Sequence, residues 1–208
     1  MKRLLIFLLL SIIISCSSDM PKEVIEETYA NGTPKLIRYF NDTILVKKVE
    51  FYDNGVKRSE YDYKDSVKYT NWDIEGNLLE TGTTTIDEKN GRRCRYIDGL
   101  KKDENYLSNG LIDSSFLFYP NGMVYMITKV GKYSNHAIML QYYENGQLKQ
   151  EFEEFGNRIG YYENGNKKFM NYADINRNDS LRQFWDIEGK LVKEVNYENG
   201  LAIDSIIY

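Results

Sequence analysis

Few residue types in this chain could carry out chemistry on their own. Its 208 residues include one histidine, His136, and two cysteines, Cys16 and Cys94. That is too little for a zinc site or a Ser-His-Asp arrangement. His136 stands beside Asn135 and ahead of an apolar run, and reads as a turn or surface residue. No GxxxxGK[ST] or GxGxxG string is present to cradle phosphate. The 31 Asp and Glu residues could hold a glycosidase-like carboxylate pair, yet they recur where turns and outer strand faces favour acids, so no catalytic residue is assigned. No metal or cofactor is expected. The other candidates are rings, since the chain has 18 Tyr, 9 Phe and 2 Trp. Tyr52, Trp72, Tyr119, Tyr143, Tyr162 and Trp185, together with Tyr29 and Tyr96, each precede a turn-like string. In register, they would either form a stacking groove for a glycan, peptide or lipid, or cover a thin sheet through cross-strand pairs of about 0.2–1 kcal/mol. A net charge of -4 argues against a nucleic-acid partner held by phosphate neutralisation.

The elements that would position these rings are legible as a repeat. The strings are YANG, YDNG, WDIEG, YIDG, YPNG, YENG, YENG and WDIEG, with glycines at 32, 55, 76, 99, 122, 146, 165 and 189. The spacing is close to 23 residues. A weaker set of turn signals lies half a period away, at Asn41-Asp42, Lys64-Asp65, Asn90-Gly91, Asn109-Gly110, 131–135, Gly156-Asn157, 176–179 and Asn199-Gly200. Eight of the 15 glycines follow Asn, a strong hairpin signal. Between the turns, apolar and polar residues alternate, as in Gln147 to Phe152, where Leu148 and Phe152 share a face opposite Lys149 and Glu151. Segments of about eight residues fit strands and leave no room for helices. The spacing predicts an all-β domain over 29–208, with about 16 short strands joined by turns.

The string aromatic-Glu-Asn-Gly-x-Leu-Lys-x-Glu, cleanest over Tyr143 to Glu151, resembles the bacterial MORN-repeat variant found in proteins labelled YwqK-like antitoxins. That resemblance implies a single elongated antiparallel sheet of successive β-hairpins and is unspecific for activity. The family label brings an antitoxin or immunity function as an alternative, while an envelope hydrolase is disfavoured by the missing nucleophile–base motif. The units at 96–110 and 153–160 depart from the pattern.

The first segment has a different character. Lys2 and Arg3 precede an apolar run from Leu4 to Ile14, shorter than the ~20 residues that span a bilayer but suited to a signal peptide. It ends in Ile13-Ile14-Ser15-Cys16, which resembles a bacterial lipobox. The resemblance implies a signal peptide over 1–15, diacylglycerol and an amide-linked acyl chain on Cys16, and stable membrane attachment. Cys94 would then be the sole free thiol. Residues 16–28 read as lipidated cysteine plus polar tether. No Asp follows Cys16 directly, so the expected location is the cell envelope, at the outer membrane. Four triplets read Asp, hydroxyl, aliphatic, at Thr43, Ser66, Ser180 and Ser205. They resemble O-glycosylation sites of exported Bacteroidetes-type proteins, and read equally as turn ends that start strands. The expected protein is a non-enzymatic, lipid-anchored scaffold with a protein or glycan partner.

Overall fold

The computed structural model describes residues 20–130, 137–152, 157–173 and 180–208. These form seventeen strands and no helix. In chain order they are β1 (Lys22–Thr28), β2 (Pro34–Asn41), β3 (Ile44–Phe51), β4 (Lys57–Tyr63), β5 (Val67–Trp72), β6 (Leu78–Thr84), β7 (Gly91–Ile97), β8 (Leu100–Ser108) and β9 (Leu111–Phe118), then β10 (Val124–Val130), β11 (Ala137–Tyr142), β12 (Leu148–Phe152), β13 (Arg158–Tyr161), β14 (Lys167–Ala173), β15 (Ser180–Trp185), β16 (Leu191–Glu198) and β17 (Leu201–Ile207). Every strand pairs antiparallel with its neighbours in sequence, giving one open sheet whose edges are β1 and β17.

The expected hairpin sheet is therefore present, with one correction at its start. Lys22–Thr28, within the segment read as a tether, is a strand paired with β2. Four charges in seven residues hid it. They are accommodated because both sheet faces meet solvent: Glu27 pairs with Lys35 at 2.7 Å and Glu26 with Arg38 at 2.8 Å, while Ile25 lies opposite Ile37.

The turns explain the period. On one long edge, the N–H of the first turn residue donates to the carbonyl four residues on, and the glycine N–H donates back to the first residue. Tyr29, Tyr52, Tyr119, Tyr143 and Tyr162 open five such turns, and Asp73 and Asp186 open two more, one residue after each Trp. The closing glycines take the left-handed conformation, with φ of +85° at Gly146, which a residue with a Cβ adopts only under strain. In five turns the Asn side chain accepts the N–H two residues on, as Asn145 Oδ1 does from Gln147 at 2.9 Å. The eighth string, at Tyr96, is tighter: Asp98 and Gly99 are both left-handed and join Ile97 directly to Leu100. Near Asn90 the turn runs from Thr85 to Asn90, so Gly91 belongs to β7 rather than to a turn.

Register sorts the residues into two faces. Ile37, Val49, Glu60, Thr70, Thr81, Cys94, Glu104 and Phe116 lie opposite one another in turn and mark the first face. Lys48, Tyr61, Tyr69, Gly82, Arg93 and Asn105 mark the second. Ile37, Val49, Val67, Cys94, Met170 and Val195 are the buried apolar side chains among the described residues, and they are divided between the faces. So short a list fits a sheet whose side chains shelter one another within a single layer.

Candidate functional site

The aromatic residues singled out by spacing line the turn edge, all half-buried, and five of the tyrosine hydroxyls have partners. Tyr29 Oη donates to the Phe51 carbonyl (2.8 Å), Tyr52 to Trp72 (3.0 Å), Tyr119 to Tyr142 (2.8 Å), Tyr143 to Tyr161 (2.8 Å) and Tyr162 to Trp185 (3.0 Å). Each bond joins one repeat to the next. A second link comes from the turn asparagines, with Asn31, Asn54 and Asn164 donating to the carbonyls of Asp53, Ile74 and Ile187. Indole has no hydroxyl, so the ladder stops at Trp72 and again at Trp185. Tyr96, in its tighter turn, makes no such bond.

The ring faces are occupied as well. Arg58 lies over Tyr52, Lys57 over Trp72, Lys149 over Tyr143, Lys168 over Tyr162 and Lys167 over Trp185, at 5.3 to 6.0 Å from the centroids. Tyr119 packs edge-on against Tyr125 at 5.1 Å. Ring by ring, the arrangement is one of packing and stapling.

Where the ladder is interrupted, β7 and β8 carry charge on both faces. On the first face, buried Glu104 accepts from Arg92 Nε at 2.5 Å and from the Tyr106 hydroxyl at 2.5 Å, and also pairs with Lys101. The Arg92 guanidinium, followed by Lys101 and Tyr106, holds the Glu104 carboxyl down at about 2 against the opposing effect of burial. On the second face Asp103, 2% exposed, takes two bonds from Arg95 Nε (3.0 and 2.9 Å) and one from Asn105 (2.9 Å). Cys94 is buried beside Glu104, and burial pushes its thiol up, away from the reactive thiolate. Every acid in this cluster is bound to a partner, so the arrangement is structural cement.

A groove of about 520 Å³ opens on the second face across β3 to β7, lined among others by Tyr61, Tyr63, Tyr69, Asn71, Glu80 and Arg93. Tyr61 stacks with Tyr63 (6.3 Å, 17°) and with Tyr69 (6.1 Å, 29°). Burial, with the Glu80 carboxylate beside it, raises the Tyr69 phenol well above its ordinary value. Spacing arguments passed over these residues because they lie mid-strand. The available signal was a lone glycine inside a strand, Gly82, which marks a close approach. None of the six turn aromatics lines this groove.

The hydroxyl candidates scatter. Thr43 is exposed in the β2–β3 turn and Ser66 half-buried in the β4–β5 turn, Ser180 opens β15, and Ser205 is exposed within β17 opposite Val195. Cys16 and His136 lie outside the described residues. Among the described residues no group of three or more His, Cys, Asp or Glu could hold a metal ion, and no helix is long and apolar enough to cross a membrane.

No curated protein matches the chain. Among solved structures it is similar to a provisionally assigned 6-phosphogluconolactonase from Bacteroides uniformis ATCC 8492, with 11% identity, 89% of this chain and 87% of that chain covered, and a TM-score of 0.22. A likeness that low carries no argument. Residues 135–153 match the family model described as MORN repeat variant, and these contain β11, the turn at Tyr143 and β12. The chain thus holds a MORN repeat variant at 135–153, in a sheet where six other turns share the hydrogen bonds of the Tyr143 turn.

Proposed function

We propose that this chain is a non-enzymatic binding scaffold of the bacterial cell envelope, anchored at the outer membrane by lipid on Cys16. The observation that carries the scaffold reading is the single-layer sheet. Successive repeats are fastened by Tyr hydroxyls along one edge, so a long surface is held rigid with both faces available to partners. A MORN-type repeat points the same way. The anchor reading rests on the positive start, the apolar run and the Ile13-Ile14-Ser15-Cys16 string. Acyl chains supply the attachment, so Cys16→Ala should move the protein from the membrane to the soluble fraction and abolish labelling by radioactive palmitate. Continued membrane association of the unlabelled mutant refutes the anchor. For the scaffold, crosslinked partners recovered from detergent-solubilised membranes should be lost when the sheet is unfolded.

A further inference from the structure

The groove on the second face is built on one register row. Lys48 lies opposite Tyr61, Tyr61 opposite Tyr69, Tyr69 opposite Gly82, and Gly82 opposite Arg93. Gly82 makes room for this ring, since a Cβ would sit 2.3 Å from Tyr69 and push its side chain aside. The glycine lets the phenol lean across the neighbouring strand, and Tyr61 and Tyr63 follow it within 29° and 17° of parallel with their neighbours. Three aligned rings thus line one cavity. Around them stand polar groups of both kinds. Asn71 offers donor and acceptor, Glu80 accepts, and Arg93 donates, its Nε shielded from solvent with no hydrogen-bond partner. Lys48 is already neutralised by Glu50 at 2.9 Å and lies over the Tyr61 ring, 4.3 Å from its centroid.

This composition selects among guests. An apolar guest would cover the Glu80 carboxylate and leave Arg93 Nε desolvated without a partner. A phosphate would want donors alone and would meet Glu80 and Glu88 in the same lining. A sugar ring needs donors and acceptors together, and its weakly positive C–H face sits well on the negative π-face of a ring. The geometry points to a saccharide-binding groove on the second face, with Tyr63 and Tyr69 as stacking surface and Asn71, Glu80 and Arg93 as hydroxyl partners. Its size is that of small-molecule clefts, about 300–1,000 Å³. The assignment rests on the reading of the sheet as a binding scaffold and is independent of the lipid anchor.

The test uses the full chain in detergent, titrated calorimetrically with cellohexaose, chitohexaose, maltohexaose, laminarihexaose and mannohexaose. At least one should bind. Tyr69→Ala and Arg93→Gln should each weaken it by about tenfold or more, the loss of a stacking or desolvated polar contact of about 1.4 kcal/mol, while Tyr69→Phe, which keeps the ring, should stay close to wild type. If circular dichroism shows Tyr69→Ala unfolded, Arg93→Gln decides. The assignment is overturned if no oligosaccharide binds, or if binding survives these substitutions in folded protein. Failure of the sugars while crosslinked protein partners are still recovered removes the groove and leaves the scaffold; failure of both removes the scaffold.

Discussion

Replacing Glu104 by glutamine tests whether charge holds the centre of the sheet together. The carboxyl is nearly buried, and Arg92, Lys101 and Tyr106 bring it from an ordinary 4.5 to about 2. A depressed folded value means the ionised form favours the fold. The contribution is complete above the unfolded value near 4.5 and disappears as the pH falls toward 2. At roughly 1.4 kcal/mol per pH unit the ceiling is about 3 kcal/mol. Arg92 is half exposed, so solvent screening leaves about 1–2 kcal/mol. Glu104→Gln should therefore lower the melting temperature by roughly 2–8 °C at pH 7, and the gap should shrink to a small fraction of that near pH 2, where wild type has lost about half of this charge. Far-UV circular dichroism melts of both proteins at pH 7, 5, 3 and 2 make the comparison. Equal melting points at pH 7, or a gap that persists undiminished at pH 2, refute the electrostatic account.

The tyrosine ladder should be measurable one bond at a time: Tyr143→Phe removes the hydroxyl that reaches the Tyr161 carbonyl and should cost about 0.5–1.5 kcal/mol by denaturant melt, whereas loss of nothing would make the bond incidental. Gly146→Val should destabilise by about 1 kcal/mol or more, because φ is +85° and an added Cβ would also press on the Met123 methyl at 3.0 Å. An unchanged midpoint for Gly146→Val would place the strain elsewhere.

Turn chemistry made most of the fold legible. Asn-Gly and aromatic-x-Asn-Gly strings announce a local backbone conformation that needs no tertiary information, and Gly32 to Gly189 mark one edge of the sheet at every unit. What lies across a strand was harder to read. Each of the seven wide turns carries an extra residue, so register shifts beside it, as between Glu50 and Phe51. Alternation counted along the chain therefore does not reveal that Tyr69 faces Gly82. β1 was hidden for a related reason: with both faces wet, Lys22–Thr28 can be mostly charged and still pair. The turn rings were found by spacing, but spacing could not distinguish stapling from binding. The hydroxyl-to-carbonyl bonds and the basic side chains over the rings supply the stapling.

The gap in the ladder between Trp72 and Tyr119 has a mechanical consequence. Units before and after it carry uncharged Tyr hydroxyl bonds that neither acid nor salt weakens much. Strands β7 and β8 in the gap have, beside their backbone ladder, only the ion pairs Arg92–Glu104, Lys101–Glu104 and Arg95–Asp103 among the described residues. In a nearest-neighbour chain of repeats, the weakest junction sets where cooperativity breaks. At neutral pH the sheet should behave as one beam. In acid or high salt the same beam gains a joint at its middle, and the N-terminal and C-terminal halves should exchange amide hydrogens as two separate bodies. Pulled from its ends, the molecule should yield first at this joint, at a force set by pH.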